Sequence, residues 1–323
     1  MPISEFEIYG LVKELSAKNG FADFGCAAAE ELPIEVQQHF LSAMKEGNFA
    51  SMDYLGHNIE KRFNPTLLVE GARSVMVFLA PYSLPHHLRP IEGIAQYALG
   101  DDYHKVIKDK LFAIMGHLKE ICPQFQGRAF TDSAPILERE WGVRAGLGWI
   151  GKNNFLISKS CGIKNLIGII ISNLEIPSTL EIEPEKKREN CGSCGECTRC
   201  IANCPSGALG KPYNTDSRLC ISYHSIENRN LPEDMENGIV PAFHGKFFGC
   251  DNCLDACPWN SANKEGWEEF RSNYGILSGR DKEWWMNMDE EEFKRIFKNS
   301  PVLRGGLKNI KAALVWGKKG QNG

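Results

Sequence analysis

Apolar residues recur along the first 180 positions with two different periods. Ile8, Leu11, Val12 and Leu15 share one face of a helix. Ser4 followed by Glu7 is the start signal of a capping box, and Gly20 suits the stop. A short strand is predicted over 21–27. The run 74–80 is continuously apolar between Gly71 and Pro81, the pattern of a strand buried on both faces. The stripe Val106, Leu111, Ile114, Met115, Leu118 and Ile121 predicts a long amphipathic helix capped by Asp101 or Asp102. Residues 129–135 read as a strand end or loop, with a helix starting near Ile136. Two more strands are predicted over 154–158 and 166–174. Strands and helices mixed at this spacing predict an α/β (α+β) layer domain over 1–185.

The pattern then changes. A charged run, 181–189, with Pro177 and Pro184 close by, reads as a connector. From Asn190 to Asn260 long apolar runs vanish and cysteines crowd together. Such a segment is short of the large apolar side chains a core needs, and an inorganic centre can take their place. This predicts a ferredoxin-like domain over 186–262. From Ser261 onward Trp267, Trp284, Trp285, Phe293 and Ile296 mark a helical segment, 263–323, ending in a Gly- and Lys-rich tail.

Composition narrows the class. The 323 residues are 42% hydrophobic and 24% charged, an ordinary globular balance that excludes disorder and collagen-like repeats. The net charge of −4 excludes a general polycation, so nucleic acid would need a local basic patch. From Pro301 onward the chain carries Arg304, Lys308, Lys311, Lys318 and Lys319 and no Asp or Glu. No uninterrupted apolar run is long enough to cross a membrane, and Met1-Pro2-Ile3-Ser4-Glu5-Phe6-Glu7 lacks an export pattern. A cytoplasmic, monomeric protein is expected. Its 12 cysteines would then stay reduced, which favours metal binding over disulfides.

Their spacing is specific. The first motif is Cys194-x-x-Cys197-x-x-Cys200-x-x-x-Cys204-Pro205, and the second is Cys250-x-x-Cys253-x-x-x-Cys257-Pro258. This is the two-[4Fe–4S] ferredoxin spacing, in which the cysteine before proline reaches the other cluster. Cys194, Cys197, Cys200 and Cys257 are expected to hold cluster one. Cys204, Cys250 and Cys253 are expected to hold cluster two, with Cys220 as its fourth ligand. The x3-Cys-Pro ending sets the frame and leaves Cys191 surplus. Cys26, Cys122 and Cys161 read as packing residues. Zinc prefers paired C-x2-C motifs with four thiolates in all, and fits poorly. Two clusters in series carry single electrons, and the first domain should hold their destination.

No G-x-G-x-x-G or Walker pattern occurs there. Arg62, Tyr97, Tyr103-His104, Asp132, Glu138 and Arg139 form a polar group around the apolar strands. Each has a plain reading. Asp132 could cap the next helix, Tyr103-His104 could be a surface pair, and Gly146, Gly148 and Gly151 could only turn the chain.

Taken together, several stretches resemble the epoxyqueuosine reductase family. They are Met52-Asp53-Tyr54-Leu55, Arg62 with Asn64-Pro65, Tyr97-Ala98-Leu99-Gly100, Asp102-Tyr103-His104 and Thr131-Asp132-Ser133-Ala134-Pro135. Arg144 to Asn153, both cysteine motifs, Cys220-Ile221-Ser222-Tyr223 and Gly249-Cys250-Asp251 also match. The resemblance implies a cobalamin-binding α/β domain fed by the two clusters. It implies an oxidoreductase that converts epoxyqueuosine to queuosine at the wobble position of tRNA, served by an unidentified electron donor. By position, Asp132 matches the proton donor, and Arg62, Leu156, Ile167, Ser222 and Asp251, with Asp132 itself, match places that line cobalamin. Two departures stand out. The chain stops soon after Ser300-Pro301-Val302-Leu303-Arg304, where many members continue into a helical-repeat domain. Cys161-Gly162-Ile163-Lys164-Asn165 replaces a Gly-Ser-aromatic pattern. Two rival readings use similar cofactors: a cobalamin-dependent reductive dehalogenase, and a non-catalytic iron–sulfur carrier. Corrinoid content separates the carrier from the enzymes, and activity on modified tRNA separates the two enzymes.

Overall fold

Four antiparallel strands form the central sheet in the order β1 (Asp23–Ala28), β2 (Ser74–Pro81), β6 (Asn165–Ser172), β3 (Gly127–Phe130). A small ribbon pairs β4 (Trp149–Ile150) with β5 (Leu156–Ile157). This computed structural model describes residues 3–186 and 192–316. Its layered α+β architecture agrees with the sequence pattern.

Strand β2 is central and buries all eight of its residues. Period-2 geometry sends Met76, Phe78 and Ala80 to one face and Val75, Val77 and Leu79 to the other. The first face packs beneath two helices, Glu5–Lys18 and Tyr103–Ile121. The second packs against Leu32, Trp141, Leu147, Leu156 and Ile167. A helix starts at Glu5 with the Ser4–Glu7 capping box in place.

The long helix is capped by Asp102, whose side chain accepts the His104 N–H at 3.0 Å. Its buried seam is Ile107, Leu111, Ile114 and Leu118, not the stripe beginning at Val106, and Ile121 is 45% exposed. The seam faces β6 at Gly168, where a Cβ would come within 2.8 Å of Ile107. The helix expected near Ile136 begins at Glu138, and the strand expected over 154–158 shrinks to two residues. The helix Ile34–Lys45 was not signalled, because none of its residues is buried and its apolar positions are sparse.

The supposed connector is fastened to the first half. Tyr9 Oη donates to Glu183 at 2.8 Å, and Lys186 pairs with Asp23 at 2.8 Å. Cys191 lies outside the described residues. Farther on, Phe243, Phe248, Trp285, Phe293, Phe297 and Ile310 share one core with Ile94, Ala98 and Leu99 from the first half. The helix Leu307–Trp316 buries Leu307, Ile310 and Ala313 in it. Within the basic stretch Arg304 pairs with Glu227 at 2.7 Å and Lys311 donates to Met288 O at 2.7 Å, while Lys318 and Lys319 lie outside the described residues. Among the described residues no helix is long and apolar enough to cross a membrane.

Candidate active site

The thiols fall into two neighbourhoods. Cys194, Cys197, Cys200 and Cys257 line one cavity together with Lys152, Asn153, Ile157 and Trp259. Cys204, Cys220, Cys250 and Cys253 form the other. Burial pushes the Cys253 thiol well above its ordinary value, and the charges of Cys250, Cys220, Asp251 and Cys204 add to the rise. The segment Gly148–Asn153 explains itself here. Lys152 donates its main-chain N–H to Cys194 Sγ at 3.5 Å and its ammonium to Gly195 O at 2.6 Å. Asn153 Nδ2 donates to Cys253 O at 3.2 Å, so one loop touches both cysteine motifs. Gly148 is required by close approach, since a Cβ there would lie 2.0 Å from Ile157 O.

Asp132 is no helix cap. It sits six residues before the helix Glu138–Arg144, which has no side-chain cap. Its φ of +51° is left-handed, and its side chain is 62% exposed rather than buried. Tyr103 Oη donates to Asp132 Oδ2. His104 stacks on Tyr103 with ring centroids 4.1 Å apart and places Nε2 3.8 Å from the same carboxylate oxygen. Its Nδ1 stands 2.7 Å from Asp102 Oδ1. Glu138 Oε1 accepts the Asp132 main-chain N–H at 2.5 Å. Burial and the charge of Asp132 push the Glu138 carboxyl up to about 8.

Arg62 and Asp132 both lie near Tyr54, and Asp132 and Asp251 near Tyr97. Tyr97 is half-buried, and after desolvation the charges of Asp132 and Asp251 do most to raise its hydroxyl. Asp251 is buried and accepts the Gln96 N–H at 2.8 Å. Arg62 is 6% exposed, and its Nε is buried without a hydrogen-bond partner among the described residues. Its Nη2 reaches Tyr54 O at 3.4 Å. Leu156 and Ile167 belong to the core beneath the Asp132 loop, which is tied down where Thr131 Oγ1 donates to Ile167 O at 2.8 Å. Ser222 is half-buried in the first turn of Ile221–Ile226, just after Cys220.

Tyr103, Tyr97 and Glu138 stand in the site, although sequence reasoning gave them only a polar-group role. The one local signal was their position beside Gly100 and after the Thr-Asp-Ser-Ala-Pro loop. The unusual stretch 161–165 also has a use. Buried Lys164 pairs with Asp255 at 2.6 Å, and the Asn263 side chain accepts the N–H groups of Ile163 and Lys164, joining the sheet to the cysteine-rich half.

With that geometry in view, comparison with known proteins is informative. Residues 193–260 match the family described as "4Fe-4S double cluster binding domain", so this chain carries two [4Fe–4S] clusters. Residues 62–133 match "Epoxyqueuosine reductase QueG, DUF1730". An epoxyqueuosine reductase of Cyclobacterium marinum is 38% identical over 91% of this chain and 91% of its own. One from Synechocystis is 35% identical over 87% of this chain and 93% of its own. Among solved structures, a selenomethionine-labelled epoxyqueuosine reductase has the same fold, with a TM-score of 0.81 and 23% identity over 96% of this chain and 81% of its own. Another, solved with an epoxyqueuosine-modified tRNA-Tyr stem loop, superposes with a TM-score of 0.79 at 22% identity over 96% of this chain and 81% of its own. Similarity of this extent along nearly the whole sequence, over a fold that joins the Asp132 loop to two thiol neighbourhoods, makes this chain a member of the epoxyqueuosine reductase family of oxidoreductases.

Proposed function

We propose that this protein reduces epoxyqueuosine to queuosine at the wobble position of tRNA, using cobalamin and two [4Fe–4S] clusters, with Asp132 as the proton donor. The observation that carries the reading is Asp132 itself: an exposed carboxyl in a strained conformation, gripped by Tyr103 and Glu138. Strain held in place by surrounding contacts is a mark of function.

The donor set fits cobalamin. That cofactor carries amides and a phosphate, and the buried guanidinium of Arg62 has an N–H with no partner among the described residues. Arg62, Ser222 and Asp251 would hold its polar groups, with Leu156 and Ile167 supporting the Asp132 loop beside it. Bound there, reduced cobalamin would supply the electrons that carry the opened epoxide to the alkene, which no side chain can provide. Cys194, Cys197, Cys200 and Cys257 would hold one cluster and Cys204, Cys220, Cys250 and Cys253 the other, a grouping supported by the shared cavity and by mutual electrostatic influence.

The epoxide oxygen is a poor leaving group unless protonated. Overall the reaction takes up two electrons and two protons and releases that oxygen as water. Asp132 gives one proton at the departing oxygen, and its exposure leaves room for a wobble nucleotide swung out of the anticodon loop. A relative solved with a modified tRNA stem loop supports this class of substrate.

Asp132→Asn tests the role. The variant keeps its iron and corrinoid content but should lose about 10²–10⁴-fold in single-turnover queuosine formation. Undiminished turnover would remove Asp132 from the mechanism.

A further inference from the structure

We propose that Glu138 is a positioning residue for this reaction: it holds Asp132 in its left-handed conformation by accepting the Asp132 main-chain N–H. The inference rests on Asp132 being the proton donor.

The backbone is the reason. A non-glycine residue at φ +51° costs about 1–2 kcal/mol, so neighbouring contacts must supply its stability. Three contacts do so. Thr131 is tied to Ile167 O on one side, Ser133 Oγ accepts from Lys108 Nζ at 2.9 Å on the other, and Glu138 takes the N–H of Asp132 itself. The Glu138 bond is the one made to the strained peptide. It is also directional: the N–H faces inward to Glu138 while the carboxyl faces outward to Tyr103.

Two substitutions test the contact. Glu138→Gln keeps an acceptor for the Asp132 N–H, so amide exchange at 131–133, KM for modified tRNA and the single-turnover rate should stay as in the wild type. Glu138→Ala loses the acceptor: exchange there should quicken by about 5-fold, the equivalent of one ordinary hydrogen bond, and the single-turnover rate should fall with KM unchanged. Wild-type exchange in Glu138→Ala overturns the inference. So does a Glu138→Gln variant that loses rate as Glu138→Ala does. If Glu138→Ala fails to retain iron and corrinoid, Glu138→Asp, one methylene shorter, takes its place. Asp132→Asn is run alongside. Full turnover in that variant sinks the Asp132 role and this inference with it, whereas loss in Asp132→Asn with wild-type exchange in Glu138→Ala sinks only the inference.

Discussion

The two halves of the chain obtain their interiors in different ways. Around the sheet, β2 buries every residue, and two apolar cores made wholly of side chains close over its faces. The cysteine-rich segment 194–257 has helices of only four to six residues, among them Arg199–Ala202, Ile221–Ile226 and Asn252–Asp255. Helices this short have little stability alone. Their apolar partners come in part from elsewhere: Trp149, Ile157 and Ile163 pack on Leu254 and Cys257, and Ile94, Ala98 and Leu99 pack on Phe243 and Phe248. The sheet half folds on buried area, while this segment depends on its neighbours and on the inorganic centres among its thiols.

The largest effect should come from removing those centres. After anaerobic reconstitution the protein should hold about eight iron and eight sulfide per chain. Chelation should then strip amide-exchange protection from 194–260 while β2 and β6 keep theirs. Equal loss in the sheet would erase the contrast between the halves. Within the same experiment Cys220→Ala should retain about half the iron, and Cys122→Ala all of it.

A smaller effect comes from the other side. Leu111 is fully buried in the sheet–helix core, so Leu111→Ala should cost about 2–5 kcal/mol in denaturant unfolding. Iron content in the folded protein should not change. A loss of iron would mean that the two interiors are strongly coupled through Lys164–Asp255 and the Gly148–Asn153 loop.

The smallest lies at the N-terminus. Ser4→Ala removes the capping box and should cost about 1 kcal/mol, with no effect on either cluster. The Ser4 main-chain N–H, and then its hydroxyl, hold Glu7 below its ordinary value. The Glu7 contribution is therefore present at neutral pH and lost as acid protonates it. Glu7→Gln keeps the shape but cannot titrate, so a Glu7→Gln variant whose acid stability profile has the wild-type shape would remove Glu7 from the cap.

Much of the site was legible where chemistry is written in adjacent residues. Thr131-Asp132-Ser133 drew attention to the loop, and Gly148–Asn153 to the segment that touches both cysteine motifs. The exposure of Asp132 was not legible, because no local pattern tells whether a loop carboxyl faces solvent. The exact helix seam was missed for a similar reason. Val106 and Ile107 are both apolar, and only contact with Gly168 selects Ile107.

By itself the sequence determined what depends on neighbours along the chain: the buried β2 strand, the Ser4 cap and one at Asp101 or Asp102, the change in character near Asn190 and the cysteine spacing. Periodicity and capping act over one or two turns, so they can be read without a fold. Tertiary structure decided which distant groups meet. Tyr103 reaches Asp132 across 29 positions, Gln96 reaches Asp251 across 155, and Lys164 reaches Asp255 across 91. Those meetings follow from sheet register and from packing of helices on its faces, which fix positions in space that no local pattern encodes.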